Sequence, residues 1–342
     1  MSTPMRWNPE ASSADRVITM AQAIREALAE EMRRDPRVFI IGEDVAEAGT
    51  PFKVLKGLVE EFGPQRVIDA PISEAGFTGI AVGAAMTGMR PVVDIMFGDF
   101  LTLAMDQIVN QAAKVHYMSG GKWKVPMVIR ATMGAGLRKA AQHSQSLHAW
   151  FAHIPGLKVA IPATPYDAKG LLKTAIRDNN PVLFFEHKAM YNLRGHVPVE
   201  EYTIPFGVAD IKREGQDLTI VAVGRMVHVA LEAAERLSEL GLEVEVVDPR
   251  TLVPLDCETL VQSAKKTGRV IVVDEGYQRY GVTAEIAAVI AEGAFYYLDR
   301  PVIRIGALDV PIPFSPPLED LTVPSVERVM EAAKTLCLRR EP

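Results

Sequence analysis

The chain is 342 residues long, 48% hydrophobic and carries a formal charge of -6, which is enough apolar sequence for two ordinary cores and so for two domains. It has no basic patch long enough to suggest nucleic acid, and Cys257 and Cys337 are its only cysteines, too few for a disulfide framework or a cysteine-ligated metal. No apolar run reaches the ~18 residues of a membrane helix, and Met1 to Arg16, with Glu10 and Asp15, has no apolar signal core. The expectation is a cytoplasmic protein with neither nucleic-acid nor membrane partners.

Thr19-Met20-Ala21-Gln22 has the form of a capping box, and Ala21, Ile24, Leu28 and Met32 follow at helical spacing, so a helix runs from there to Asp35-Pro36. Val38-Phe39-Ile40-Ile41 suits a fully buried parallel strand. It leads straight into Gly42-Glu43-Asp44-Val45, and open α/β sheets place ligand contacts just past such strand ends. Two acidic residues alone are equally a solvated loop.

Arg66-Val67-Ile68-Asp69 predicts the second strand, which Ala70-Pro71 ends because the residue before proline is held extended. Ser73 and Glu74 then fall where the cap and first turn of a helix over about 74–88 belong. That helix has almost no polar face, which predicts burial, and a carboxylate at its mouth is costly unless something pairs with it. Taken singly, Glu74 is either a cap that complements the helix dipole or a buried carboxylate awaiting a ligand proton.

A third strand follows at Pro91 to Met96, then the loop Phe97-Gly98-Asp99-Phe100 and a long helix from about Leu101 to Met118, ended by Gly120-Gly121. Pro126 to Arg130 and Leu157 to Ile161 are the fourth and fifth strands. Between them Ala131 to Gly156 reads as structureless and holds Gln142-His143-Ser144-Gln145; long loops inside compact domains are usually functional. Thr164-Pro165 starts a helix that Asp178-Asn179-Asn180-Pro181 ends, and Val182 to Phe185 is a sixth strand. Strands alternating with helices predict a mostly parallel, doubly wound sheet. After a connector at about 192–206 a second α/β series begins, with strands at Leu218 to Val223, Leu242 to Val247, Val270 to Val273 and Val302 to Ile305, and little clustered chemistry.

Gly134-Ala135-Gly136 is similar to the start of a dinucleotide fingerprint but lacks its third glycine, Lys139-Ala140 standing there instead. There is no Gly-x-Ser-x-Gly elbow, and His143, His148 and His153, five residues apart, do not share a helical face on which to bind a metal. A lone His143 among hydrogen-bonding neighbours is more often structural than catalytic.

Order and spacing change that judgement. Gly42-Glu43-Asp44-Val45, Asp69 through Phe77 with Glu74 inside, Phe97-Gly98-Asp99-Phe100, Asp106 to Lys114, Tyr117 to Gly121, Gln142-His143-Ser144-Gln145 and Pro155 to Val159 together resemble the β subunit of thiamin-diphosphate-dependent 2-oxoacid dehydrogenases. Asp167 to Leu171, Ala175 to Pro181 and Leu318-Glu319-Asp320 extend the resemblance to nearly the whole chain. It implies an α/β fold of two doubly wound domains: a transketolase-like pyrimidine-binding domain over about 1–195, then a transketolase C-terminal domain over 196–342. It also implies half an enzyme: an α2β2 heterotetramer in which an α subunit holds the diphosphate and magnesium, through a Gly-Asp-Gly…Asn motif that this chain lacks, and a dihydrolipoyl acyltransferase that receives the acyl group.

Carried over residue by residue, the resemblance makes Glu74 the glutamate that hydrogen-bonds a ring nitrogen of the aminopyrimidine, favouring the imino tautomer that deprotonates the thiazolium carbon. It makes Phe100 the aromatic stacked on the pyrimidine, Ile72 a nearby cofactor contact, and His143 the histidine that serves acyl transfer to the lipoyl arm; Glu43, just past its strand end, is a further candidate for cofactor binding. Met127, Ala175, Ile176, Asp178 and Asn180 match positions that bind potassium in some relatives, largely through backbone oxygens. Gly134 to Arg138 is more similar to acetoin dehydrogenases than to most pyruvate enzymes, whereas Ala175 to Glu186 is equally similar to pyruvate enzymes. The order of substrates is pyruvate, then acetoin, then branched-chain oxoacids.

Overall fold

The computed structural model describes residues 16–337, so the stretch up to Asp15, read above as lacking an export signal, lies outside the described residues. The strands, in chain order, are β1 (Val17–Thr19), β2 (Val38–Gly42), β3 (Val67–Asp69), β4 (Arg90–Ile95), β5 (Val128–Met133), β6 (Lys158–Ala160), β7 (Val182–His187), β8 (Arg194–His196), β9 (Asp210–Arg213), β10 (Leu218–Ala222), β11 (Val244–Asp248), β12 (Thr251–Val253), β13 (Val270–Tyr277) and β14 (Ile303–Ala307). They form a seven-stranded sheet in the order β12-β6-β7-β5-β4-β2-β3 and a five-stranded sheet in the order β14-β13-β10-β11-β9, with β1 and β8 as a separate antiparallel pair. Each large sheet is parallel except at one edge, β12 in the first and β9 in the second. Every residue of β2, β4, β5 and β7 is buried, which is why those segments read as mostly apolar rather than alternating.

Alternating side chains divide the first sheet between two cores. Val38, Ile40, Val92 and Phe184 pack with Ile24, Leu28, Leu171 and Leu172 of the helices Met20–Arg34 and Pro165–Arg177. Phe39, Ile41, Val93 and Phe185 face the opposite way, into a core with Phe77, Leu101 and Ile108 that continues to Val221, Val247 and Val272 of the second sheet. The two halves therefore share one apolar interior, and β12, from the second half, closes the edge of the first sheet. Three residues before a proline carry too little periodicity to signal such a strand.

Three expectations are corrected. The long helix over 101–118 is instead a 3-10 segment Gly98–Ala104, a π-helical segment Gln107–Ala112 and a short α-helix Val115–Met118. The wide turn is closed by Ala113 N donating to Ile108 O at 3.0 Å, a five-residue step that hydrophobic spacing does not reveal. Residues 131–156 are not structureless, since His148–Ala152 is helical. Finally, the helix Glu74–Met86 buries Phe77, Ala81 and Ala85 but leaves Ile80 63% exposed, so its apolar outer face is uncovered in the single chain.

Candidate active site

Glu43 and Glu74 lie at the C-terminal ends of β2 and β3, where an open α/β sheet gathers ligand contacts. The ends are locked together by Ala70 N donating to Gly42 O at 2.8 Å and Ala46 N to Asp69 Oδ1 at 2.8 Å. Gly42 is demanded by close approach, because a Cβ there would sit 2.5 Å from Asp94 O. Glu74 opens its helix and is only 6% exposed, while Glu43 is half-buried with its Oε1 buried and partnerless among the described residues. Burial first, then repulsion from Glu74 and Asp44, raises the Glu43 carboxyl above its ordinary range against a hydrogen bond from the Ser73 backbone. A buried and a half-buried carboxylate that repel each other, one with an unpartnered oxygen, are poised to receive donors.

The helix bearing Glu74 packs against the segments Gly98–Ala104 and Gln107–Ala112, which brings the second pair of predicted residues beside it. Phe100 and His143 meet edge to face at 5.3 Å, and Phe97 closes the trio at 5.8 Å from Phe100 and 4.8 Å from His143. Gln145 is anchored by Nε2 donating to Asp99 Oδ1 at 2.9 Å. Asp99 Oδ2, Ser144 Oγ and Gln107 Oε1 are buried without partners among the described residues, so the polar capacity around the aromatic trio is only partly used. Asp99, Ser144 and Gln107 stand inside stretches that the sequence marks out, yet their residue types alone gave no reason to choose them. Ile72 is 85% exposed, so whatever it touches comes from outside the chain.

Met127, Ala175, Ile176, Asp178 and Asn180 are gathered at the other, N-terminal end of the strands, away from Glu74. Val182 N donates to Met127 O at 3.0 Å, Asp178 N to Ala175 O at 3.2 Å, Arg90 Nε to Ile176 O at 2.8 Å and Asn180 N to Asp178 Oδ1 at 2.8 Å, while Lys158 pairs with the Asp178 carboxylate. These carbonyl and carboxylate oxygens are right in kind for a hard cation, and each already accepts a hydrogen bond within the chain. Among the described residues no group of three or more histidine, cysteine, aspartate or glutamate side chains could hold a metal, and no helix is long and apolar enough to cross a membrane.

Behind the site, sequence reasoning missed a buried network. Arg130 donates to Asp94 Oδ2 at 2.5 Å and to both oxygens of Glu186 at 2.7 and 2.8 Å, and the Tyr191 hydroxyl donates to Glu186 at 2.8 Å. Burial pushes Asp94 up to about 6 although Arg130 beside it pulls the other way. Its signal was charged residues at Asp94, Arg130 and Glu186 within otherwise apolar strands.

Residues 16–194 match the pyrimidine-binding domain of transketolase and residues 207–329 its C-terminal domain. The chain is 52% identical to the β subunit of acetoin:2,6-dichlorophenolindophenol oxidoreductase from Bacillus subtilis, over 96% of this chain and 98% of that one. It is 48% identical to the pyruvate dehydrogenase E1 β subunit of Rhizobium meliloti over 94% of this chain and 70% of that one, and 47% identical to the Bacillus subtilis 2-oxoisovalerate dehydrogenase β subunit over 94% and 98%. Among solved structures, an inactive β4 tetramer of a split-gene transketolase superimposes with a TM-score of 0.74 at 26% identity, covering 93% of this chain and 98% of that one. A transketolase from Pichia stipitis, 17% identical, shares the fold with a TM-score of 0.67 over 95% of this chain and 47% of that one.

Proposed function

The chain belongs to the transketolase-like β subunits of the 2-oxoacid dehydrogenases, and from that premise we propose that it is the β subunit of a thiamin-diphosphate-dependent pyruvate dehydrogenase. The reaction is oxidative decarboxylation of the 2-oxoacid followed by acyl transfer to the lipoyl group of a dihydrolipoyl acyltransferase. One observation carries the reading: buried Glu74 and half-buried Glu43 repel each other at the sheet end, and Glu43 Oε1 is buried without a partner among the described residues, so a ligand donor would satisfy it. The residues fit an aminopyrimidine. Glu74 would hold a ring nitrogen, Glu43 a second polar edge, and Phe100 and Ile72 the ring faces.

When bound, the cofactor supplies the carbon nucleophile that the substrate carbonyl requires. Glu74 keeps a proton on the ring nitrogen because a carboxylate in a dry site is a strong hydrogen-bond acceptor. Phe97 and Phe100 exclude water from that edge. His143, held against both rings, moves a proton at an imidazole nitrogen when the lipoyl sulfur takes the acyl group.

Activity requires an α subunit that contributes the diphosphate and magnesium site, in an α2β2 assembly, and the uncovered apolar residues Ile72, just before the helix that Glu74 opens, Ile80 on it and Leu103 on the segment packed against it are where such a partner would seat. Potassium, at Met127, Ala175, Ile176, Asp178 and Asn180, would brace the sheet, and the assembly would be cytoplasmic. A second reading, acetoin cleavage, is favoured by the 52% identity to an acetoin-named subunit. Co-expression with the α subunit, titration with thiamin diphosphate, and dye reduction with pyruvate, acetoin and branched-chain oxoacids test the whole. Pyruvate should give the highest kcat/KM; faster acetoin turnover would select the second reading, and assembly without cofactor binding would reject both.

A further inference from the structure

The Leu318-Glu319-Asp320 motif has no part in the site described above, yet it reaches the loop that carries His143. Residues 134–145 leave β5 through Gly134 and Gly136, whose φ angles of 93° and 94° few other residues adopt, and a Cβ on Gly134 would lie 2.0 Å from His187 Nε2. Arg138 and Ala140 also sit at positive φ, 56° and 59°, a backbone that persists only when its surroundings hold it.

Those surroundings belong to the second domain. Ala135 N donates to Glu275 Oε1 at 2.5 Å, and Gly136 N to Glu319 Oε1 at 2.9 Å. Arg138 pairs with Glu319 Oε2, with Asp320 at 2.7 Å and with Pro316 O at 3.0 Å. Glu319 is fully buried, and Ala135 packs in a small apolar cluster with Ile312 and Val323 on either side of the helix Pro316–Thr322. From the first domain, Lys188 donates to Gly134 O, and His187 Nε2 is 2.9 Å from Glu275 Oε2. The far end of the loop returns through Gly134 N to Gln145 O at 3.2 Å, and Gln145 is the residue bonded to Asp99. The loop base is thus gripped by buried carboxylates while its tip presents His143 to Phe97 and Phe100.

We infer that Glu319, with Asp320 and Glu275, is a latch by which the C-terminal domain positions the His143 loop. A buried carboxylate that accepts both a backbone amide and a guanidinium is among the stronger fixed contacts a protein makes, and two left-handed non-glycine residues give the loop reason to relax once released. The consequence for acyl transfer rests on the reading of His143 given above; the latch itself does not.

The test uses the assembled α and β subunits with cofactor bound, comparing Glu319→Ala, Glu319→Gln and Arg138→Ala with wild type. Hydrogen exchange should accelerate across residues 134–145 by about tenfold or more in Glu319→Ala, less in Glu319→Gln, which keeps an acceptor for Gly136 N, and less again in Arg138→Ala. Arg138→Ala, on a partly exposed side chain, keeps the test alive should Glu319→Ala misassemble. Lipoyl acylation should fall further than dye-coupled decarboxylation, and this selective loss should vanish when His143→Ala is already present. Unchanged exchange over 134–145 in all three variants overturns the latch. Faster exchange with equal losses in both assays upholds the latch and removes His143 from the transfer step.

Discussion

Two groups of charge, one within the first sheet and one at the C-terminal ends of its strands β2 and β3, have opposite character. In the Arg130 network each carboxyl group has a donor: Asp94 and Glu186 share one guanidinium, and the Tyr191 hydroxyl also donates to Glu186. At the strand ends Glu43 and Glu74 repel each other, the Ser73 backbone gives Glu43 one hydrogen bond, and Glu43 Oε1 stays buried and unsatisfied among the described residues. The first group is complete within the chain and is structural. The second leaves an acceptor unused, and that contrast marks the candidate site better than residue type does.

The largest effect should come from breaking the complete group. Arg130→Leu strands two buried carboxyl groups and should cost about 3–5 kcal/mol, read as a lower urea midpoint; a loss below about 1 kcal/mol would mean that the network is solvated. Next, His143→Ala should lower lipoyl acylation about tenfold or more beyond any loss in dye-coupled decarboxylation, in line with a proton-transfer role, and equal losses would move His143 out of that role. Ile80→Asp places a charge on the uncovered helix face and should abolish co-purification with the α subunit while the chain stays folded, since Ile80 packs against little within it. Retained co-purification would place the partner elsewhere.

The smallest effect concerns Glu43. Its folded carboxyl is raised, so the unfolded chain gives up that proton at lower pH. The cofactor-free chain should therefore be more stable below the ordinary carboxylate range and lose that increment as pH rises through the raised folded value. Glu43→Gln should flatten this part of the stability profile. An unchanged profile would mean that neither burial nor Glu74 raises the Glu43 carboxyl in the folded chain.

The sequence carried the regular elements well where local chemistry set them. Thr19 caps its helix with the reciprocal Gln22 bond, Thr164-Pro165 starts the next long one, and the buried strands β2, β4, β5 and β7 read as such because both their faces are covered. It failed where distant partners decide. The π-helical turn at 107–112, the edge strand β12 and the Arg130 network are set by neighbours far along the chain. Glu74, Phe100 and His143 were legible only through the order of motifs, since singly each has an ordinary structural use. Glu43 was chosen for its position past a strand end, and its unsatisfied oxygen could be seen only in three dimensions.

The claim on which the rest depends is that Glu74 is the carboxylate that activates the cofactor. The measurement is the rate of deuterium exchange at the thiazolium carbon in the assembled enzyme, wild type against Glu74→Gln. The account predicts a fall of about a hundredfold or more with assembly intact, because the amide cannot hold the ring-nitrogen proton as the carboxylate does. An exchange rate equal to wild type would contradict it.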